Sequence, residues 1–193
     1  MAENERGTLR QAATTMGVIL AVLWAVELID TLTGHRLDYF GIHPRSLAGL
    51  LEIFTSPFLH YSWWHLLGNS VPLFVLGFII LLSGQRVFAD ATLVSVVCSG
   101  LFVWLVSPSR SVTLGASGVV FGYLVYILVR GFYTRRISHL LIALAVAAIY
   151  GGMLLGLLPL RIGISWQAHV GGALGGVAAA ALTHRLDKAD RSK

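Results

Sequence analysis

Residues 53–85, IFTSPFLHYSWWHLLGNSVPLFVLGFIILLSGQ, contain no Asp, Glu, Lys or Arg over 33 positions. A helix rises about 1.5 Å per residue, so about 20 apolar residues cross a hydrocarbon core of about 30 Å. Four more charge-free windows follow: 91–109, 111–129, 137–160 and 162–184. They account for the composition. Hydrophobic residues make up 56% of the 193 and charged residues only 12%, against about 45–50% and about 25% in soluble domains. With only 23 charged side chains, gathered between the windows, the chain reads as a polytopic membrane protein. A β-barrel would alternate over segments of about 10 residues, whereas these windows are far longer.

Working outward, the fold class expected is an all-α bundle of six spans, near Ala12–Thr31, Trp63–Ser83, Val87–Val106, Ser117–Phe132, Ser138–Leu157 and Ser165–Thr183. Lipid offers the backbone no hydrogen bonds, so each span must be helical. With the N-terminus inside, ten Lys and Arg (Arg6, Arg10, Arg86, Arg130, Arg135, Arg136, Arg185, Lys188, Arg191, Lys193) fall on the inner side. Four (Arg36, Arg45, Arg110, Arg161) fall outside. That bias puts both termini in the cytoplasm. It also explains the net charge of +5 without a nucleic-acid partner, for no continuous basic face exists. Residues 1–11 are expected to be a cytoplasmic segment, 12–184 a single domain and 185–193 a cytoplasmic tail. No signal peptide is expected. The connection 35–62 is too long for a turn and too apolar for a solvated loop, so it is expected to lie in the membrane interface. The lone Cys98 excludes an internal disulfide and reads as a packing residue.

Polar groups inside spans are costly and mark candidate sites. Glu27 and Asp30, late in the first span, read as interface residues rather than a buried pair. His139 and His184, at span ends, need no special role. His65 and Asn69 are four apart and share a helix face. Ser117 opens the fourth span within Gly115-Ala116-Ser117-Gly118, and His169 starts the sixth within Ala168-His169-Val170-Gly171-Gly172. Spans two, four and six run the same way through the membrane, so these four residues share one depth near the outer surface. A serine needs a base within about 2.6–3.2 Å to become a nucleophile, and His169 is the candidate. Asn69, His65 and the Ser117 N–H are candidate oxyanion donors. Gly118, Gly122, Gly171, Gly172, Gly175 and Gly176 suit close helix approach. Pro72, one turn beyond Asn69, is expected to kink the second span and help aim His65 and Asn69.

His60-Tyr61-Ser62-Trp63-Trp64-His65-Leu66-Leu67-Gly68-Asn69, Gly115-Ala116-Ser117-Gly118 and Ala168-His169-Val170-Gly171-Gly172 with Gly175-Gly176, in this order, resemble the rhomboid family of intramembrane serine proteases. The resemblance covers about Leu37 to Leu182 and implies a six-helix core. It implies Ser117 as nucleophile and His169 as base without a third acid, and His65, Asn69 and the Ser117 amide as oxyanion hole. Phe121 matches an aromatic position that packs on the catalytic histidine, and His60 reads as structural. The resemblance further implies substrates that are transmembrane helices with small residues at the cleavage site. It implies lateral entry beside the fifth helix, where Gly151, Gly152 and Gly156 could permit movement. Two family features are absent: a glutamate at the inner end of the second span and a Trp-Arg pair in the first outer loop.

The partners expected are transmembrane protein substrates and the bilayer, with no metal, no cofactor and no nucleic acid. The location expected is a bacterial or archaeal plasma membrane, with the site on the extracytoplasmic side. Three other readings compete. A catalytically inactive relative would lack the serine or histidine. A transporter would carry polar residues along a path, and here the inner halves of the spans are apolar. A metal enzyme on His60, His65 and His169 would suit the spacing of five between the first two poorly.

Overall fold

The computed structural model describes residues 2–160 and 163–190. It is helical, and among the described residues the only β-bridge is the isolated pair Ile42 and Thr113. The helices are α1 (Ala2–Leu32), α2 (Leu47–Thr55), α3 (Trp63–Leu81), α4 (Gln85–Val106), α5 (Ser117–Thr134), α6 (Ile137–Tyr150) and α7 (Trp166–Asp190). Five helical stretches are long and apolar enough to cross a membrane: Arg6–Leu32, Trp63–Leu81, Gln85–Val106, Ser117–Thr134 and Ile137–Leu157. The expected sixth span, Ser165–Thr183, falls on α7. There, Gly, Ala, Gln and His dilute the hydropathy below that of the other five. Arg161, Arg191 and Lys193, three of the charges used for orientation, lie outside the described residues.

Helix α5 is the centre of the bundle, touching α3, α4, α6 and α7, while α7 also lies along α4. Lipid is as apolar as leucine, so burial alone does not drive helices together inside a membrane; close packing and interhelical hydrogen bonds must do it. Both are present. The Ser99 hydroxyl donates to the Ala168 carbonyl at 2.8 Å, and the Trp24 indole donates to Ser70 Oγ at 3.1 Å. Tyr123 and Thr92 share a hydroxyl–hydroxyl bond of 2.6 Å. Cys98 is partly buried, its Cβ 3.0 Å from where a side chain at Gly175 would begin. Helix α3 runs unbroken through Pro72. By contrast α6 buries only Ala143 and Val146, and Leu141, Leu144 and Ile149 face outward. The expected fifth span divides: α6 ends at Tyr150, and Gly151–Leu157 tightens into a 3-10 turn.

The connection between α1 and α3 folds as short pieces: a 3-10 turn Leu37–Phe40, then α2, then a 3-10 turn Ser56–Phe58. Ser46 starts α2 by accepting the Gly49 N–H at 2.8 Å, a standard N-cap. Leu47, Leu51, Phe54 and Tyr39 point outward. Its other face is pinned. The Glu52 carboxylate accepts the His43 N–H at 2.8 Å and meets the His43 Nδ1 at 2.9 Å. Arg45 donates to the Leu105 carbonyl at 3.1 Å and to Ser109 Oγ at 2.6 Å.

One expectation is corrected here. Glu27 and Asp30 are not interface residues; each is only 1% exposed. The chain turns back after α1, so Asp30 Oδ1 accepts the Leu37 N–H at 2.7 Å and Oδ2 meets His35 Nδ1 at 3.3 Å. Helical periodicity places both acids on one face but cannot show that the next eight residues fold over it.

Candidate active site

Two polar N-caps set the depth of the site. Ser62 Oγ accepts the His65 N–H at 3.3 Å and so opens α3; Asn69 follows one turn later on the same face. Ser165 Oγ accepts the Ala168 N–H at 3.2 Å and opens α7, which puts His169 in its first turn. Ser117 is the first residue of α5. First-turn N–H groups have no acceptor within their own helix and carry the positive end of its dipole.

The loop before Ser117 is held from the interfacial side. The Gly115 N–H donates to the Ser56 carbonyl at 2.9 Å and the Tyr61 hydroxyl to the Val112 carbonyl at 2.7 Å. The Ala116 N–H donates to His60 Nε2 at 3.4 Å. Gly115 has φ +124°, and a Cβ there would lie 2.7 Å from His65 Cε1 and 3.0 Å from its Nε2. Only glycine allows both that backbone and the His65 ring beside it.

Of the residues singled out in the sequence, Ser117, His169 and Phe121 meet. His169 Nε2 lies 3.0 Å from Ser117 Oγ, and His169 Nδ1 lies 2.8 Å from the Gly156 carbonyl oxygen. A carbonyl can only accept, so Nδ1 carries the proton and the Nε2 lone pair faces the serine hydroxyl. The Phe121 ring lies parallel to the imidazole, 9° between planes and 4.0 Å between centroids. Asn69 is buried, and its side-chain amide nitrogen has no hydrogen-bond partner. A buried donor without an acceptor is unfavourable, so this amide is available to an incoming acceptor. His65 lies edge-on to His60, 5.1 Å between centroids. No group of three metal-ligating side chains involves His60, His65 and His169 among the described residues.

Sequence reasoning missed Gly156, considered only as a point of movement. Its carbonyl orients His169, and a Cβ on it would lie 2.9 Å from Phe121 Cζ and 3.2 Å from His169 Nδ1. A backbone acceptor leaves no residue-type signature; the absent side chain is the only trace.

His60 is 1% exposed. Burial, and next the neighbouring His65, push its ring down from the ordinary 6.5 to about 3, against an opposing contribution from the Phe58 carbonyl. It therefore stays neutral when folded, whereas the unfolded chain takes up a proton below about pH 6.5. The unfolded state binds more protons through this window, so the protein loses stability as pH falls. His60→Phe removes that proton difference. Thermal midpoints measured between pH 7 and pH 4 are expected to fall less steeply in the variant. At pH 7 it should be less stable by about 1 kcal/mol, because the Ala116 N–H loses its acceptor. Parallel pH curves would rule this account out.

A model of the Rhomboid domain matches residues 48–186. An uncharacterized protein of Mycobacterium bovis is 41% identical over 187 residues, which is 93% of this chain and 78% of that protein. An uncharacterized protein of Mycobacterium leprae is 38% identical, over 98% of this chain and 78% of its own length. A putative rhomboid protein of Acanthamoeba polyphaga mimivirus is 29% identical, over 72% of this chain and 77% of its own length.

Proposed function

We propose that this chain, which belongs to the rhomboid family, is an intramembrane serine endopeptidase that cuts transmembrane segments of other proteins through Ser117 and His169. The observation that carries the reading is the 3.0 Å approach of His169 Nε2 to Ser117 Oγ, between two different helices. Structural packing alone has no need of a histidine oriented by a carbonyl on one nitrogen and facing a serine on the other.

In this reading Ser117 Oγ attacks the carbonyl carbon of the scissile peptide while Nε2 takes its proton. The negative charge that develops on the substrate oxygen is met by the Asn69 amide, His65 and the Ser117 N–H. Nε2 then returns the proton to the leaving amine. Water entering from the outer side hydrolyses the acyl-enzyme, with His169 again as base. The Gly156 carbonyl holds the imidazole through the cycle in place of a carboxylate. The same reading takes six spans with both termini cytoplasmic: α7 joins the five apolar helices as the sixth, and its small residues serve the contact with α5. The serine end of α5 then lies near the outer face of the plasma membrane. A substrate helix enters beside α6, which packs chiefly on α5. An inactive binder would have no use for a preoriented dyad.

The test is a fluorophosphonate probe, which phosphonylates a serine whose proton is removed by an adjacent base. Full-length protein in detergent is expected to carry one adduct, on Ser117, and to lose it in His169→Ala. An adduct on another residue, or none, would sink the proposal.

A further inference from the structure

A second polar cluster lies away from the dyad, where the chain leaves α1. Asp30 Oδ2 is 3.3 Å from His35 Nδ1, which is 3.9 Å from Asp38 Oδ2. One ligand-type atom from each of the three lies within 4.8 Å of the others. Among the described residues, the only basic partner of the two carboxylates within 4.0 Å is the His35 imidazole.

An independent observation sits one turn below. Glu27 is 1% exposed, and neither of its carboxylate oxygens has a hydrogen-bond partner. The charged groups it interacts with are Asp30, His35 and Asp38. Helix side chains lean back over the preceding turn, so Asp30 reaches toward Glu27. A buried carboxylate with no donor, beside two more carboxylates and one imidazole, is costly as it stands. A bound cation removes that cost.

We infer that Asp30, His35 and Asp38 form a binding site for a divalent metal ion of the zinc class, beside the Glu27 carboxylate at the end of α1. Zinc takes four ligands at about 2.0–2.2 Å, which sets neighbouring donors about 3.3–3.6 Å apart in a tetrahedron; the chain supplies three and water the fourth. The two imidazole–carboxylate separations, 3.3 and 3.9 Å, need only a few tenths of an ångström of adjustment. One imidazole with two carboxylates suits zinc better than calcium, which seeks six to eight oxygens. Half-exposed His35 leaves a way in from the outer side. The ion would tie residues 33–40 to the end of α1. The sequence reading expected no metal, and nothing in this inference depends on proteolysis.

Untagged full-length protein in detergent, stripped with EDTA, tests it. Adding micromolar zinc chloride is expected to raise the thermal midpoint by roughly 5 °C. After gel filtration, elemental analysis should find one zinc per chain. Calcium chloride should give a smaller shift. Both zinc effects should vanish in His35→Gln and in Asp38→Asn. Those positions are more exposed than Asp30, whose loss would also free the Leu37 N–H. No retained zinc, an equal shift in the two variants, or a larger shift with calcium would overturn the site. A midpoint that follows pH but not zinc would also overturn it, since a shared proton would then suffice.

Discussion

With a transmembrane substrate in detergent, Ser117→Ala and His169→Ala are each expected to lower kcat/KM by about 10⁴-fold or more. The double variant should be little worse than either single one. Without the base, Ser117 Oγ keeps its proton; without the serine, the base has no nucleophile to activate. The two act as one unit, so their losses do not add. Asn69→Ala should be milder, about 10²–10³-fold, because it removes one oxyanion donor and leaves the dyad intact. The order of these losses carries the information. Misfolding would lower all the variants together and shift their thermal midpoints, whereas a chemical role leaves the midpoints near that of the parent. A Ser117→Ala protein that still cleaves would end the proposal.

The second large effect is expected where two helix backbones meet without intervening side chains. A Cβ on Gly172 of α7 would fall directly on the Gly118 carbonyl of α5, and one on Gly176 on the Gly122 carbonyl. Those backbones touch, so no flexible side chain can move aside. Gly172→Val must push α7 off α5, one turn from the 3.0 Å bond between Ser117 and His169. Overpacking of this kind costs about 1–3 kcal/mol. A displacement near 1 Å at a reacting pair can cost about 100-fold in rate. The variant is therefore expected to lower both the midpoint and kcat. Gly17→Ala in α1 is the control: a Cβ there meets nothing within 4 Å, so both quantities should hold. A Gly172→Val protein with parental kcat would show that the two backbones are not in contact.

Five of the six expected spans fall on helices long and apolar enough to cross a membrane, because lipid demands about 20 predominantly apolar residues in a row, and that demand is written in composition. Helix α7 was harder. Its small residues, which let it meet α5, also lower its hydropathy, so one sequence property obscured what another revealed. From residue type and period alone, the relation of Ser117 to His169 was readable as a shared depth, from where their spans begin and from the parity of the spans; the family resemblance added the pairing.

Other features had no trace of that kind. The Gly156 carbonyl belongs to the backbone, which is the same at every position. The burial of Glu27 and Asp30 depends on the return of residues 33–40 over the end of α1, a contact set by three dimensions. By itself, then, the sequence determined the solvent, the helices and which polar residues share a level of the membrane, because these follow from residue type and period. Only the tertiary structure decided which side chains meet, which backbone atom orients them and which acids are buried. Those outcomes depend on distances of a few tenths of an ångström between segments remote in the chain.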